Sequence, residues 1–153
     1  MAPAPVRKLV RAINTRHAPP GRRHRLRGLS VVALCLKLLV FTGMRSGEAK
    51  GLRWENVDLE GRRLHLPDTK SGKSQIVVLS PEAKTILEEC REFRTEDNPF
   101  VFPGLGNGGH ITDLRGCFHR SRDRAGLGGD VVIHTLRHTY ALLLANSGVD
   151  GRA

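Results

Sequence analysis

The sequence has little cysteine and no long apolar run. Its three cysteines are an odd number and stand far apart among apolar neighbours, at Cys35, Cys90 and Cys117. Such spacing is typical of reduced thiols in the core of an intracellular protein and does not indicate a disulfide framework. The longest apolar stretch, Leu29 to Phe41, is about a dozen residues and is too short to span a bilayer. We therefore expect a cytoplasmic protein without a membrane partner, in which this stretch is a buried helix.

Acidic residues are absent from the first 28 positions, which hold eight of the 25 lysines and arginines. The rest of the chain is nearly neutral, and Pro3, Pro5, Pro19 and Pro20 disfavour regular structure near the N-terminus. We predict that residues 1–28 are a basic linker or arm without regular structure and that residues 29–153 form one domain. A basic arm of this kind is attracted to nucleic acid or to anionic membranes, although a solvated linker remains the alternative.

The remaining pattern predicts an α+β protein, mainly α. Strand-like runs within Val57 to Leu66 and Gln75 to Leu79 predict a small antiparallel sheet with a turn at Glu60-Gly61. Helices are predicted at Ser30 to Phe41, after a cap at Ser46, and after the helix start Ser80-Pro81-Glu82. A fourth helix is predicted from Thr112 to a stop at Gly126. The last helix follows a strand-like run at Val131 to Ile133 and is predicted to end at about Asn146 or Ser147.

Three patterns that resemble ligand sites fail on their context. Ser71-Gly72-Lys73-Ser74 lacks the earlier glycine of a phosphate-binding loop, since Pro67 stands in its place. A dinucleotide site requires that its glycines follow a strand and open a helix. The glycines of residues 104–109 do neither. Cys117 and His119 would point to different sides of a helix, which argues against a zinc site with His134 and His138. We expect no metal, nucleotide or other cofactor.

Four polar residues at the ends of predicted elements remain unexplained. At a spacing of three, His134 and Arg137 share one face near a helix N-terminus, where backbone N–H groups attract anions. The ordinary interpretation is a helix cap and a surface ion pair. Together with Arg45, and with Lys70 in the hairpin connection, they instead suit a phosphodiester: arginines neutralise its oxygens, the lysine protonates a leaving oxygen, and the histidine assists proton transfer.

Five motifs carry a family resemblance. They are Thr42-Gly43-Met44-Arg45-Ser46-Gly47-Glu48, Leu52-Arg53-Trp54, Thr69-Lys70-Ser71-Gly72-Lys73, Val78-Leu79-Ser80-Pro81-Glu82 and His134-Thr135-Leu136-Arg137-His138-Thr139-Tyr140. In order and spacing the chain resembles the catalytic domain of the tyrosine recombinase (phage integrase) family over residues 29 to 150. The resemblance implies that family's catalytic-core fold, with a three-stranded antiparallel sheet packed on a helical bundle.

The resemblance also implies roles for individual residues. Arg45 and Arg137 would be the two catalytic arginines, Lys70 the hairpin lysine and His134 the catalytic histidine, with Glu48 in support. Lys73 is the rival for the lysine role and is assigned to a backbone-phosphate contact, a role we also assign to Arg22, Arg23, Arg25 and Arg27. The implied partners are double-stranded DNA and a second copy of the chain on that DNA.

Two family features that follow the position of Arg137 are missing from the chain, namely a Gly-His (or Trp) motif and, after it, the nucleophilic tyrosine. The family's nucleophilic tyrosine lies on a later helix, whereas the single tyrosine here is Tyr140, where the family places an aromatic core residue. We therefore expect a chain truncated at both ends, without a nucleophile of its own. It is then either part of a recombinase that cleaves and rejoins DNA or a remnant that binds DNA without chemistry. A basic structural protein would explain the tail but leaves the four polar residues unexplained.

Overall fold

The computed structural model describes residues 4–14, 23–67, 72–104 and 109–147. Its helices are α1 (Ala4–Asn14), α2 (Arg23–Thr42), α3 (Ser46–Lys50), α4 (Pro81–Cys90), α5 (Arg115–Arg124) and α6 (Ile133–Ser147). Its strands are β1 (Val57–Asp58), β2 (Arg63–Leu66) and β3 (Gln75–Val78), and 3-10 turns cover Trp54–Asn56 and Arg91–Phe93. The expectation of a mainly helical α+β fold with a three-stranded antiparallel sheet is confirmed.

Helix α2 is the centre of the core. Its apolar side chains point in all directions, so it can be covered from every side, and α1, α3, α4, α5 and α6 all contact it. Cys35, Leu36 and Leu38 are completely buried. The predicted buried helix at Ser30 to Phe41 is therefore present, as part of a longer helix. Within the ranges described, no helix is long and apolar enough to cross a bilayer.

The sheet has the order β1-β2-β3, with both pairs antiparallel. Between β1 and β2 the carboxylate of Asp58 accepts a hydrogen bond from the backbone N–H of Gly61 (2.8 Å), which closes the predicted turn. Leu64 and Leu66 of β2 face the core while Arg63 and His65 alternate with them on the exposed face. The alternation is what the period of two along a strand requires of a sheet with one buried face.

Helix α4 begins where its local sequence predicts. Ser80 is the N-cap, and its hydroxyl accepts a hydrogen bond from the backbone N–H of Ala83 (3.1 Å), while Pro81 takes the first helical position. The missing N–H of proline has no helical partner to lose at that position. Ala83, Ile86, Leu87 and Cys90 are buried, and the helix packs on α2.

The prediction that residues 1–28 lack regular structure is wrong for the segment Ala4–Asn14. Val6, Leu9 and Ile13 follow one another at helical spacing and are buried, and α1 packs on α2 and α5. Pro5 is tolerated because it lies in the first turn of the helix, where its missing N–H breaks no hydrogen bond. The boundary expected at residue 28 also falls inside α2, and residues 15–22 lie outside the described part of the chain.

Two other boundaries differ from expectation. Helix α5 starts at Arg115 and not at Thr112, because the carboxylate of Asp113 accepts a hydrogen bond from the backbone N–H of Arg115 (2.9 Å) and marks the start there. The strand-like run before α6 forms no strand. Instead the backbone N–H of Val132 donates to the hydroxyl of Thr135 (3.1 Å), which ties the entry of α6 to its first turn.

Candidate functional site

The first part of the site is the turn between α2 and α3. The N–H of Gly43 donates to the carbonyl of Leu39 (3.0 Å), and Gly43 takes a left-handed conformation with φ of 67°. The buried hydroxyl of Thr42 donates to the carbonyl of Leu38 (2.6 Å) and accepts from the N–H of Met44 (3.4 Å). A glycine in this conformation is a common way to end a helix. The turn therefore leaves α2 along a well-defined path and delivers Arg45 to the surface.

Arg45 is the N-cap residue of α3. Glu48 accepts a hydrogen bond from the backbone N–H of Arg45 (3.1 Å), and its other oxygen lies 3.4 Å from a guanidinium nitrogen of the same residue. The sequence predicted Ser46 as the cap; in the structure Ser46 is the first helical residue, because Glu48 reaches back to Arg45. The Arg45 side chain is 65% exposed, so its ion pair is weak and its guanidinium is accessible from solvent.

The second part of the site is the beginning of α6. Leu136 is buried and holds this helix against the core, while His134 is exposed and Arg137 is half-buried. The rings of His134 and His138 meet edge to face with centroids 4.7 Å apart. Among the described residues the ion pairs are Arg45–Glu48, Lys84–Glu88 and Arg122–Asp123, so Arg137 takes part in none of them.

Tyr140 joins the two parts. Its ring lies against Gly43 so closely that a Cβ on this glycine would be 2.9 Å from Cγ of Tyr140 and nearer still to Cδ1. The tyrosine is half-buried, and this burial raises its pKa above the usual value. Tyr140 lies one helical turn after Arg137, and Gly43 lies two positions before Arg45. The structure thus brings together the two elements that carry the predicted arginines.

The other predicted residues are described only in part. Lys73 is exposed just before β3. Lys70 and Arg22 lie outside the described residues. Arg23, Arg25 and Arg27 fall in the first turns of α2, and their side chains lie outside the described part of the structure.

Sequence reasoning missed the contribution of α5. Arg122 on this helix is largely buried, and it donates a hydrogen bond to the carbonyl of Val131 (3.3 Å), just before α6 begins. It therefore helps to hold the segment from which His134 emerges. Four arginines lie in ten residues of α5, and that density was a usable signal. Lys50 similarly ties α3 to the segment before α5 by donating to the carbonyl of Thr112 (3.2 Å).

The cysteines have the character of core residues. Cys35 and Cys90 are buried and Cys117 is partly buried, and none is in a disulfide. Burial raises the pKa of all three thiols, that of Cys90 to about 12. Such thiols stay protonated near neutral pH and are poor nucleophiles. Within the described ranges, no group of three His, Cys, Asp or Glu residues could hold a metal ion.

Comparisons with known proteins agree with this architecture. The family model described as the phage integrase family matches residues 2–153. Tyrosine recombinase XerD of Brucella suis is 34% identical over 145 residues, which are 88% of this chain and 45% of that protein. Tyrosine recombinase XerA of Saccharolobus solfataricus is 27% identical over 166 residues, which cover 95% of this chain and 53% of that protein. The chain thus spans about half the length of these curated relatives.

Solved structures match the fold. The XerH site-specific recombinase bound to its difH substrate in a pre-cleavage complex has a TM-score of 0.75 at 24% identity, and the match covers 96% of this chain and 42% of that one. The XerA recombinase also has a TM-score of 0.75, at 21% identity, over 98% of this chain and 52% of that one. Since the family model spans nearly every residue and the fold agrees, this chain belongs to the phage integrase family, with the fold of the tyrosine recombinase catalytic domain.

Proposed function

We propose that this chain is the part of a site-specific DNA recombinase that binds double-stranded DNA and holds the phosphodiester at which strands are exchanged. Arg45 and Arg137 bind the non-bridging oxygens of that phosphate, and His134 lies beside it. The observation that supports this most is the contact of Tyr140 with Gly43, because it draws together the turn that carries Arg45 and the helix that carries Arg137. Family membership supplies the reaction class.

The exposure of the side chains suits this role. Arg45 can exchange its weak, solvent-exposed contact with Glu48 for a phosphate, because a surface ion pair of this kind is worth only about 0.2–1 kcal/mol. A charge-assisted hydrogen bond to a phosphate oxygen is stronger, about 1.5–3 kcal/mol. Glu48 would still accept the hydrogen bond from the backbone N–H of Arg45, and would thereby keep the Arg45 guanidinium at the N-terminus of α3.

Strand cleavage in this proposal needs a further tyrosine. A tyrosine hydroxyl gives its proton to His134 and its oxygen forms a bond to phosphorus, while the 5′ oxygen of the DNA leaves and takes up a proton that we assign to Lys70. Tyr140 is the single tyrosine of the sequence, and it is half-buried against Gly43. We therefore propose that Tyr140 is not the nucleophile and that this chain alone forms no covalent adduct with DNA.

The packing of Tyr140 also favours the second candidate function. If no other tyrosine reaches the phosphate, the same site binds DNA without cleaving it. In either case we propose that the basic side chains Lys73, Arg22, Arg23, Arg25 and Arg27 contact backbone phosphates. We further propose that the chain acts in the cytoplasm and that a second copy binds the same DNA.

The test of this proposal is a fluorescence anisotropy titration with a labelled DNA duplex at several salt concentrations. Arg45→Ala and Arg137→Ala should each weaken binding by about 1.5–3 kcal/mol and reduce the salt slope by about 1. Arg91→Ala is the matched control, because it removes the same charge from an exposed position at the end of α4. Equal losses in all three variants would mean that the two arginines contribute only to the overall charge, and the proposed site would be wrong.

A further inference from the structure

The contact between Gly43 and Tyr140 satisfies two separate conditions at once. Gly43 has a φ of 67°, which residues with a side chain rarely adopt. It also has no room for a Cβ, which would lie 2.9 Å from Cγ and 3.1 Å from Cε1 of Tyr140. The ring therefore rests directly on the backbone of the turn. The ring of Tyr140 thus separates the backbone of α6 from the backbone of the turn at Gly43.

We infer that Tyr140 is a positioning residue, whose ring fixes the turn that carries Arg45 relative to the helix segment that carries Arg137. The inference rests on the proposed function, which gives the two arginines one phosphate to share. Two arginines bind the same phosphate well only if their spacing is set before the phosphate arrives. Tyr140 does not touch the phosphate and acts through Gly43.

The surroundings of Tyr140 differ from those of a core residue. Leu136, one turn earlier, is almost fully buried and already anchors α6 to the core, whereas Tyr140 is only half-buried. On the other side of the contact, the buried residues Thr42 and Met44 fix the turn to α2. Tyr140 of α6 thus contacts a turn whose other contacts are with α2.

The ring carries this role, and the hydroxyl does not. Among the hydrogen bonds of the described residues, none involves the hydroxyl of Tyr140, and the atoms nearest to Gly43 are ring carbons. Tyr140→Phe therefore keeps the contact and should behave as the unaltered chain. Tyr140→Leu keeps an apolar side chain of helical preference but removes the flat ring, so the turn is free to shift.

The test is a double-mutant cycle of Arg45→Ala and Arg137→Ala, measured by anisotropy on the same duplex. Arginines that share a phosphate are coupled, because the loss of one loosens the contact of the other. We first multiply the loss of affinity caused by Arg45→Ala by the loss caused by Arg137→Ala. In the unaltered chain and with Tyr140→Phe, the variant that carries both substitutions should bind at least about threefold more tightly than this product predicts. With Tyr140→Leu that coupling should disappear, so that the two losses multiply.

Thermal unfolding first establishes that Tyr140→Leu is folded. If it is not, the cycle is measured with Gly43→Ala, which retains the ring and displaces the turn, and the same loss of coupling is expected. Coupling that persists in the folded variant overturns the inference while leaving the two-arginine site intact. If neither single arginine variant binds more weakly than Arg91→Ala in the unaltered chain, the proposed function itself fails, and the inference with it.

Discussion

Leu9→Ala tests whether α1 is an integral part of the domain. Leu9 is 1% exposed, between Val6 and Ile13 on the buried face of the helix. Truncating a leucine this deeply buried removes its apolar contacts and leaves a cavity, which typically costs about 2–5 kcal/mol. Domain stabilities are about 5–15 kcal/mol, so the loss would be a large share of the total. For a chain of this size we expect the melting temperature to fall by roughly 5–20 °C.

The matched control is Lys8→Ala, one residue earlier on the exposed face of the same helix. It should change the free energy of unfolding by no more than about 0.5 kcal/mol, because it removes no packed atoms. Both variants are measured by urea unfolding followed by circular dichroism, which gives the free energy directly. If Leu9→Ala were as stable as Lys8→Ala, α1 would not pack on α2 and α5, and residues 1–28 would be the loose arm that their composition suggests.

Two further predictions concern buried polar groups. Burial holds the pKa of Cys90 at about 12, against 9.0 for an ordinary thiol, so stability is fully present below about pH 9 and is lost as the pH rises towards 12. The free energy of unfolding from urea titrations in this pH range should fall less steeply for Cys90→Ala, by about 1.4 kcal/mol per pH unit; parallel slopes would contradict the burial of this thiol. Trp54 carries a buried ring N–H without a hydrogen-bond partner. Trp54→Phe should therefore destabilise the protein by less than the roughly 3–5 kcal/mol expected for Trp54→Ala, because phenylalanine keeps an aromatic ring in place and removes the unpaired donor; a loss as large as that of Trp54→Ala would contradict this expectation.

The sequence predicted best those elements whose signals are local. Helix α4 was predicted because Ser80 and Pro81 specify its start without help from the rest of the chain. The local composition does not predict helix α1, because the prolines and positive charges around it favour an irregular arm even though Val6, Leu9 and Ile13 follow one another at helical spacing. That spacing stabilises a helix only when α5 and α2 cover it, and a local pattern does not show which element will do so.

The candidate site divides in the same way. Arg45, His134 and Arg137 could be proposed as site residues from their motifs, because each stands near the start of a helix with a recognisable local sequence. The contact between Gly43 and Tyr140 could not, since it joins residues that are far apart in the chain and depends on the packing of α6 against α2. The resemblance implies an aromatic core residue at Tyr140, whereas the structure shows a half-buried ring whose contact with Gly43 is visible only in three dimensions. The roles of Arg45, Lys70, His134 and Arg137 stay predictions.

The packing of α1 on α5 also affects how the chain is made on the ribosome. Residues 4–14 leave the ribosome before the helix that covers them, Arg115–Arg124, which is synthesised about 100 residues later and so follows after roughly 5–20 s at ordinary translation rates. During that interval the apolar side chains of Val6, Leu9 and Ile13 lack a partner that they have in the folded protein. The nascent chain is therefore open to chaperones, and to wrong hydrophobic partners, until α5 emerges.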